Sequence, residues 1–232
     1  NAAIEYALGI ENLYQPGVNE LAENNKYDWP IHYTEVKNLL AKKTTEIHGH
    51  EALNGWVVQN DAPSIVANSS DTELRIPGYV RPHGVLVHPS TTHFIAAGWK
   101  SPIDGLVRID AAIADEHPEG GNGQTWALNI QQRNIRQRLG AGEFDRGGSA
   151  TRTFENVLVR KGDFISLVIG PRNADWACDG TGINLMITDL SPRLQNWNLA
   201  ADINNDIHVG NPHPDRYGNE KVWHFFSDKV GQ

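Results

Sequence analysis

Two Gly-rich loops of the sequence combine carboxylates, an amide, a histidine and an indole. Their candidate side chains are Asp115, Glu116, His117 and Asn122 in residues 115–123, and Asp175, Trp176 and Asp179 in residues 171–182. Carboxylate and amide oxygens accept hydrogen bonds from sugar hydroxyls, and an indole stacks on the apolar face of a sugar ring. The ligand-binding residues that we predict for a carbohydrate are Asp115, His117, Asn122, Trp176 and Asp179.

The same oxygens suit a calcium ion, which prefers carboxylate and carbonyl ligands. The predicted metal ligands are Asp115, Asp175 and Asp179 with neighbouring carbonyls, and Ca²⁺ is the one cofactor that the residues suggest. A simpler interpretation has Asp115 and Asp179 capping turns and Trp176 packing in the core, because turns are enriched in Asp and Asn. The residues alone leave both interpretations open.

Other patterns in the sequence give weaker indications of a chemical function. His48 and His50 lie two residues apart in a segment expected to be extended, and such a pair can ligate zinc or copper. No third ligand follows at a spacing typical of a metal site, so a structural or surface role is favoured for the pair. The sequence contains no G-x-S-x-G, H-E-x-x-H, phosphate-binding or dinucleotide-binding motif. No catalytic residue is therefore assigned.

Strands between Phe94 and Leu190 must position the two loops. Apolar residues alternate along residues 106–113 and again along residues 126–130, which is the period of a strand with one buried face. Residues 164–169 form a nearly continuous apolar run, typical of a strand buried on both faces. If residues 106–114 pair antiparallel with residues 183–189, the end of the first strand lies beside the start of the second. The two loops then meet at one rim.

Turn residues punctuate this region at short intervals and predict at least six antiparallel strands in two packed sheets. The predicted fold class is all-β, an antiparallel jelly-roll-like β-sandwich with a partly helical N-terminal arm and a long C-terminal extension. We expect residues 1–46 to form the arm with short helices, 47–190 the sandwich, and 191–232 an extension packed on it. In the arm, apolar spacing predicts a helix over residues 33–43.

Composition narrows the class of partner. The 232 residues carry a net charge of −8 and 39% hydrophobic residues, and acidic balance argues against a nucleic-acid or membrane-surface partner. The single cysteine, Cys178, excludes an internal disulfide. The sequence shows neither a signal peptide nor an apolar stretch of membrane-spanning length. A start at Asn1 without Met is what a processed product or a piece of a longer chain would show.

Two stretches carry a resemblance to known proteins. GWKSPIDGLVRIDAAIADEHPEGGNGQTWALNI and GDFISLVIGPRNADWACDGTGINLMIT resemble a recurrent bacterial β-sandwich module that occurs beside carbohydrate-active enzymes. They are also similar to modules of large exported planctomycete-type proteins, some with cytochrome c domains. The resemblance covers about residues 50–227. It implies a jelly roll, association with glycans and an exported, periplasmic or extracellular location. Asn122 stands where the module often has Asp, which weakens the inference of calcium.

Three functions follow from these observations. The first is a non-catalytic carbohydrate-binding-like module of an exported bacterial protein, which needs an exposed aromatic platform. The second is a structural or assembly module of a larger enzyme or cytochrome complex, which needs apolar patches on its arms for protein–protein interaction. The third is a polysaccharide-active enzyme, which needs two carboxylates in a cleft at a separation of about 5–10 Å. The expected partners are a polysaccharide or the neighbouring domains of a larger protein.

Overall fold

Antiparallel strands dominate the chain in this computed structural model, which describes residues 38–58, 62–133 and 135–230. The larger sheet holds eight described strands. In spatial order they are β1 (Lys42–Thr44), β2 (Leu53–Val57), β3 (Ser64–Asn68), β6 (Val85–His88), β13 (Thr181–Asp189), β8 (Gly105–Asp115) and β11 (Ser149–Val159), with β14 (Asn196–Asn198) paired to β13.

The smaller sheet holds five described strands. In spatial order they are β10 (Ile135–Phe144), β9 (Gln124–Gln132), β12 (Phe164–Pro171), β7 (His93–Lys100) and β15 (Trp223–Lys229). A separate hairpin, a short helix and a 3-10 turn complete the described elements. These are β4 (Leu74–Arg75) with β5 (Tyr79–Val80), α1 (Leu199–Ile203), and the turn Ile47–Gly49. No helix in the described ranges is long and apolar enough to cross a membrane.

The main core contains side chains from both sheets, as the alternating pattern predicts. Ile109 of β8 and Leu128 of β9 are fully buried in the same cluster. Trp99 of β7 contacts Trp197 of β14 with ring centroids 5.2 Å apart. An indole of this size buries enough apolar surface for its truncation to cost about 3–5 kcal/mol. The prediction of at least six strands is confirmed, because β7 to β13 lie across the predicted span.

The strand pairing that positions the candidate loops is confirmed. β8 pairs antiparallel with β13, with Asp115 opposite Thr181 and Val107 opposite Asp189. The apolar run of β12 lies between β7 and β9 and is buried along its whole length. The register between β11 and β8 shifts between Phe154 and Val157, where the period of two also slips in the sequence.

The helix predicted over residues 33–43 is wrong in its described part. Asn38 has a left-handed φ of 63°, and Lys42–Thr44 is strand β1. The Leu40 side chain is 2% exposed, and its N–H donates to the carbonyl of Phe225 at 2.9 Å. Backbone pairing with β15 and β2 satisfies this segment, so tertiary contacts override its modest helical spacing. Residues 1–37, the rest of the predicted arm, lie outside the described residues.

The two sheets include strands that precede and follow residues 47–190 in the sequence. β1 pairs with β2, and β15 forms an edge of the smaller sheet against β7. The three-part division of the chain stays a prediction. The expected extended His48–His50 segment is instead the 3-10 turn, in which His48 has a φ of 53°. His50 uses Nε2 to donate to the carbonyl of Arg75 at 2.9 Å, a structural role.

Candidate functional site

The two Gly-rich loops lie against each other at one end of the β8–β13 pair. The Glu116 N–H donates to the carbonyl of Gly180 at 2.8 Å. Farther along, the Asn122 side-chain amide donates to the carbonyl of Arg172, and the Arg172 guanidinium donates to the carbonyl of Asn122, each at 3.0 Å. The predicted meeting of the loops is confirmed. The roles of their residues as ligands stay predictions.

Glycine lets the loops approach this closely. Gly121 has a φ of +74°, and a Cβ at that position would lie 2.6 Å from the carbonyl oxygen of Ala177 and 3.5 Å from Asp179 Oδ1. Gly123 has a φ of +92°, and a Cβ there would overlap the carbonyl oxygen of Phe144. Both positions therefore need a residue without a side chain. The GGNG sequence is what allows the first loop to close over Asp179.

Asp115 ties the first loop to the turn between β10 and β11 through its carboxylate. Its Oδ1 accepts from the N–H of His117 at 2.8 Å, and its Oδ2 accepts from the N–H of Gly147 at 2.7 Å. The residue is 8% exposed. Asp115 thus behaves partly as the turn cap that the simpler interpretation describes. This burial corrects the expectation that Asp115 lies on an open rim within reach of a sugar.

Asp179 is the most unusual side chain of the site. It is 0% exposed, and neither carboxylate oxygen has a hydrogen-bond partner among the described residues. Burial, followed by the negative charges of Asp175 and Asp115, raises the pKa of Asp179 to about 8. Asp179 is therefore buried beneath the loops and does not line an open rim, and its role as a ligand stays a prediction.

Unpartnered amides belong to the same pair of loops. The Gln124 side chain is 1% exposed, and its oxygen and nitrogen both lack hydrogen-bond partners in the described chain. Gln124 makes a polar contact that lowers the pKa of Asp179, although its geometry falls short of a full hydrogen bond. The Oδ1 atom of Asn122 is also buried and unpartnered. Polar atoms buried in this way are rare in folded proteins unless water or an ion satisfies them.

Trp176 faces a different environment from Asp179. Its side chain is 44% exposed and borders a cavity of about 750 Å³. The cavity lies over the outer face of the larger sheet, where Val66 of β3 and Leu86 of β6 form its apolar floor. The alternative that Trp176 packs in the core is therefore wrong, because the core lies on the other face of this sheet.

Histidines supply the polar groups nearest Trp176. The His88 ring meets the indole edge-on with centroids 5.6 Å apart, and its Nδ1 donates to the carbonyl of Pro89 at 2.8 Å. Burial, together with the nearby His117, lowers the pKa of His88 and favours its neutral form. A neutral ring that donates from Nδ1 keeps Nε2 as an acceptor. His117 lines the same cavity.

A polar cluster braces the first loop against the β4–β5 hairpin. Arg75 donates to Glu119 at 3.0 Å and to the hydroxyl of Tyr79 at 2.8 Å, and that hydroxyl donates to Glu119 at 3.0 Å. Arg81 donates from Nε to both carboxylate oxygens of Glu116, at 3.0 and 3.1 Å. These contacts fix the wall of the cavity on the side of His117.

The predicted site residues thus divide into two neighbouring groups. Trp176 and His117 border the cavity, whereas Asp115, Asp179 and the side-chain oxygen of Asn122 are buried behind it. Sequence reasoning missed His88 and Gln124. Gln124 follows the GGNG loop directly, and its place at the start of β9 was the available signal. His88 had no comparable signal, because only the β3–β6–β13 pairing brings it near Trp176.

No three His, Cys, Asp or Glu side chains in the described ranges cluster as a ready metal site. Amide and carbonyl oxygens are not among the ligands in such a cluster. Calcium often takes several ligands of those two kinds. Ca²⁺ therefore stays a prediction, and so does the predicted set of Asp115, Asp175 and Asp179.

Comparisons with known proteins give one distant structural likeness. No family model matches the chain, and no curated protein matches it. Among solved structures the chain is similar to the carbohydrate-binding module TmCBM61 in complex with β-1,4-galactotriose. The identity is 14%, the TM-score is 0.36, and the match covers 66% of this chain and 91% of that one. A likeness of this strength leaves function to be judged from the chain's own residues.

Proposed function

We propose that this chain is a non-catalytic carbohydrate-binding module that holds a polysaccharide in the cavity beside Trp176. The observation that carries the proposal is the half-exposed indole at the edge of a cavity of about 750 Å³. A sugar ring has an apolar face that stacks on an indole, and such contacts contribute roughly 1–2 kcal/mol.

Polar groups around the cavity can receive the sugar hydroxyls. Neutral His88 keeps an acceptor nitrogen, and His117, Thr45 and Glu46 lie along the same lining. A mostly apolar cavity with a few convergent polar groups is the usual form of a small-molecule or glycan site. Asp115 and Asp179 support this site from behind.

The proposal favours binding over hydrolysis. Glycoside hydrolysis uses two carboxylates on either side of the scissile bond. The described lining of the cavity supplies one carboxylate, Glu46. Such a set of side chains holds a sugar chain more readily than it cleaves one.

We also propose that the two sheets form a jelly roll. β6–β13–β8–β11 runs through the larger sheet, and β7–β12–β9–β10 runs through the smaller one. The first and last of these eight strands in sequence, β6 and β13, pair in the larger sheet, and the second and seventh, β7 and β12, pair in the smaller one. This is the strand order of a jelly roll. The bacterial origin and exported location stay predictions of the sequence.

The test replaces the proposed stacking residue. Trp176→Ala is expected to weaken binding to polysaccharide about tenfold or more, since 1.4 kcal/mol corresponds to a factor of ten. Retention on a panel of insoluble polysaccharides and in gels containing soluble ones measures the effect. Tyr217→Ala is the matched control, because Tyr217 is a 40% exposed aromatic that does not line the cavity.

The melting temperature of each variant completes the test. Because Trp176 lies outside the core, Trp176→Ala should unfold within a few degrees of the parent chain. Loss of stability with normal retention of the folded fraction would contradict the proposal. So would the absence of retention on every polysaccharide by the parent chain, or equal losses in the Trp176 and Tyr217 variants.

A further inference from the structure

The Asp179 carboxylate lacks the compensation that a buried charge requires. Both of its oxygens are buried and unpartnered in the described chain, and Asp115 and Asp175 add negative charge nearby. Burying a carboxylate without partners is costly, so such a group is normally neutralised or paired with a cation. The surrounding side chains present oxygen atoms, which suit a cation better than an anion.

We propose that the two loops bind a calcium ion through Asp179 at the centre, with Gln124, Asn122 and Asp175 supplying further oxygens. The Gln124 side chain is 1% exposed, unpartnered and near enough to Asp179 to act on its carboxylate. Asp179 Oδ1 lies 3.5 Å from the Cβ position of Gly121, the residue before Asn122. Asn122 donates its amide N–H to Arg172 and thereby leaves Oδ1 buried and unpartnered. Asp175 accepts one N–H, from Ala177, through Oδ1.

The donor set selects calcium among common metal ions. Zinc prefers nitrogen and sulfur ligands, whereas Asp179, Gln124 and Asn122 offer oxygen alone. Magnesium demands near-ideal octahedral geometry, whereas calcium accepts six to eight oxygens from irregular loops. The carbonyl oxygen of Ala177 and Oδ1 of Asp179 both lie beside the Gly121 position, at 2.6 and 3.5 Å from its Cβ site, so this carbonyl is the nearest backbone candidate for the set.

This ligand set differs from the three carboxylates that the sequence suggests. Both oxygens of Asp115 already accept backbone N–H groups, so Asp115 shapes the loops and adds charge. Gln124 and Asn122 take its place as ligands beside Asp179. The ion would lock the loop that carries Trp176, yet the site itself needs no glycan.

The test compares the full chain in calcium and in chelator, without any glycan. Titration calorimetry with Ca²⁺ alone should show one binding site. At a calcium concentration a hundred times the Kd, the melting temperature should rise by about 5–10 °C over its value in chelator. Asp179→Asn should abolish both the binding heat and the rise.

Two further variants keep the test decisive if Asp179→Asn fails to fold. Asn122→Asp adds a negative ligand, so it should bind calcium at least several-fold more tightly and melt lower than the parent chain in chelator. Asp189→Asn is the matched control. Asp189 is a buried carboxylate at the other end of β13, and both its oxygens accept hydrogen bonds from Ser191. Its calcium response should equal that of the parent chain.

The outcomes separate the ion from the glycan site. Absence of calcium heat and an identical melting curve in calcium and chelator would overturn the proposal. A calcium response that survives in Asp179→Asn, or that is unchanged in Asn122→Asp, would overturn it as well. Polysaccharide retention plays no part in these readouts, so failure of the cation site and failure of the glycan site remain distinguishable.

Discussion

At the scale of single residues, Trp176 and Asp179 lie only three positions apart in one loop, yet their side chains have opposite environments. The indole is 44% exposed, whereas the carboxylate is 0% exposed. The sequence indicated that both residues belong to one binding region, because carboxylates and an indole share a Gly-flanked loop. It could not separate them, since burial here depends on how residues 115–123 close over the second loop.

His224 provides a residue-scale prediction about pH. It is 6% exposed and packs edge-on against Phe164 at 5.2 Å, and burial, with Lys100 and Lys221, lowers its pKa to about 4. In the unfolded chain this histidine becomes protonated near pH 6.5, whereas in the native state it becomes protonated only near pH 4. Stability from His224 is therefore complete above pH 6.5 and is lost as pH falls toward 4, by on the order of 3 kcal/mol.

Denaturant unfolding of the parent chain and of His224→Gln at several pH values between 4 and 7 measures this effect. The difference between the two chains cancels the titration of other groups, including Asp179. We expect the stability advantage of the parent over the variant to shrink as pH falls through this window. Parallel stability curves would show that His224 titrates normally.

At the scale of elements, the central strands were predictable from the sequence, and the conformation of residues 38–44 was not. The period of two in β8 and β9 reflects a core face that any antiparallel pairing would bury. Residues 38–44 carry a weaker pattern, and their conformation follows from docking on β15 and β2. The spacing of apolar residues predicts a helix there. The prediction fails because the strands with which this segment pairs come from distant parts of the chain.

The Gly123 turn yields an element-scale prediction. Gly123→Ala introduces strain at a φ of +92° and a clash with the carbonyl of Phe144. Gly162→Ala is the matched control, because Gly162 has a φ of +95° with open space around its Cβ position. Both variants carry the backbone strain, and the overlap adds about 1–3 kcal/mol to the first alone.

Free energies of unfolding from denaturant titration compare the two glycine variants. Gly123→Ala should be the less stable by that margin, and it should also lose polysaccharide retention because the loop beside Trp176 shifts. Equal destabilisation of the two variants would indicate that the first loop does not close against β10 as described.

At the scale of the whole molecule, the sheets are held together through residues far outside the central region. Asp202 of α1 accepts from Trp223 Nε1 at 2.8 Å and from Arg216 Nε at 2.5 Å. Asp215 accepts from Trp197 Nε1 at 2.6 Å. The C-terminal extension thus packs on the sandwich through buried hydrogen bonds of its Asp side chains. The sequence did not reveal that its final strand completes the smaller sheet.

The cavity beside Trp176 depends on this whole arrangement. Its floor comes from β3 and β6, one wall from the 44–48 segment and another from the loops after β8 and β12. At least five separate stretches of sequence therefore converge on one site. Composition and spacing identify the two loops after β8 and β12, and only the three-dimensional pairing supplies the other stretches.

The position of a bound oligosaccharide shows whether the cavity beside Trp176 is the glycan site. An oligosaccharide of the polysaccharide best retained by the parent chain is crystallised with the protein, and its electron density locates the sugar. We expect a sugar ring stacked on the Trp176 indole, with hydroxyls within hydrogen-bond reach of His88 or His117. A sugar bound on another surface, with the cavity beside Trp176 vacant, would contradict it.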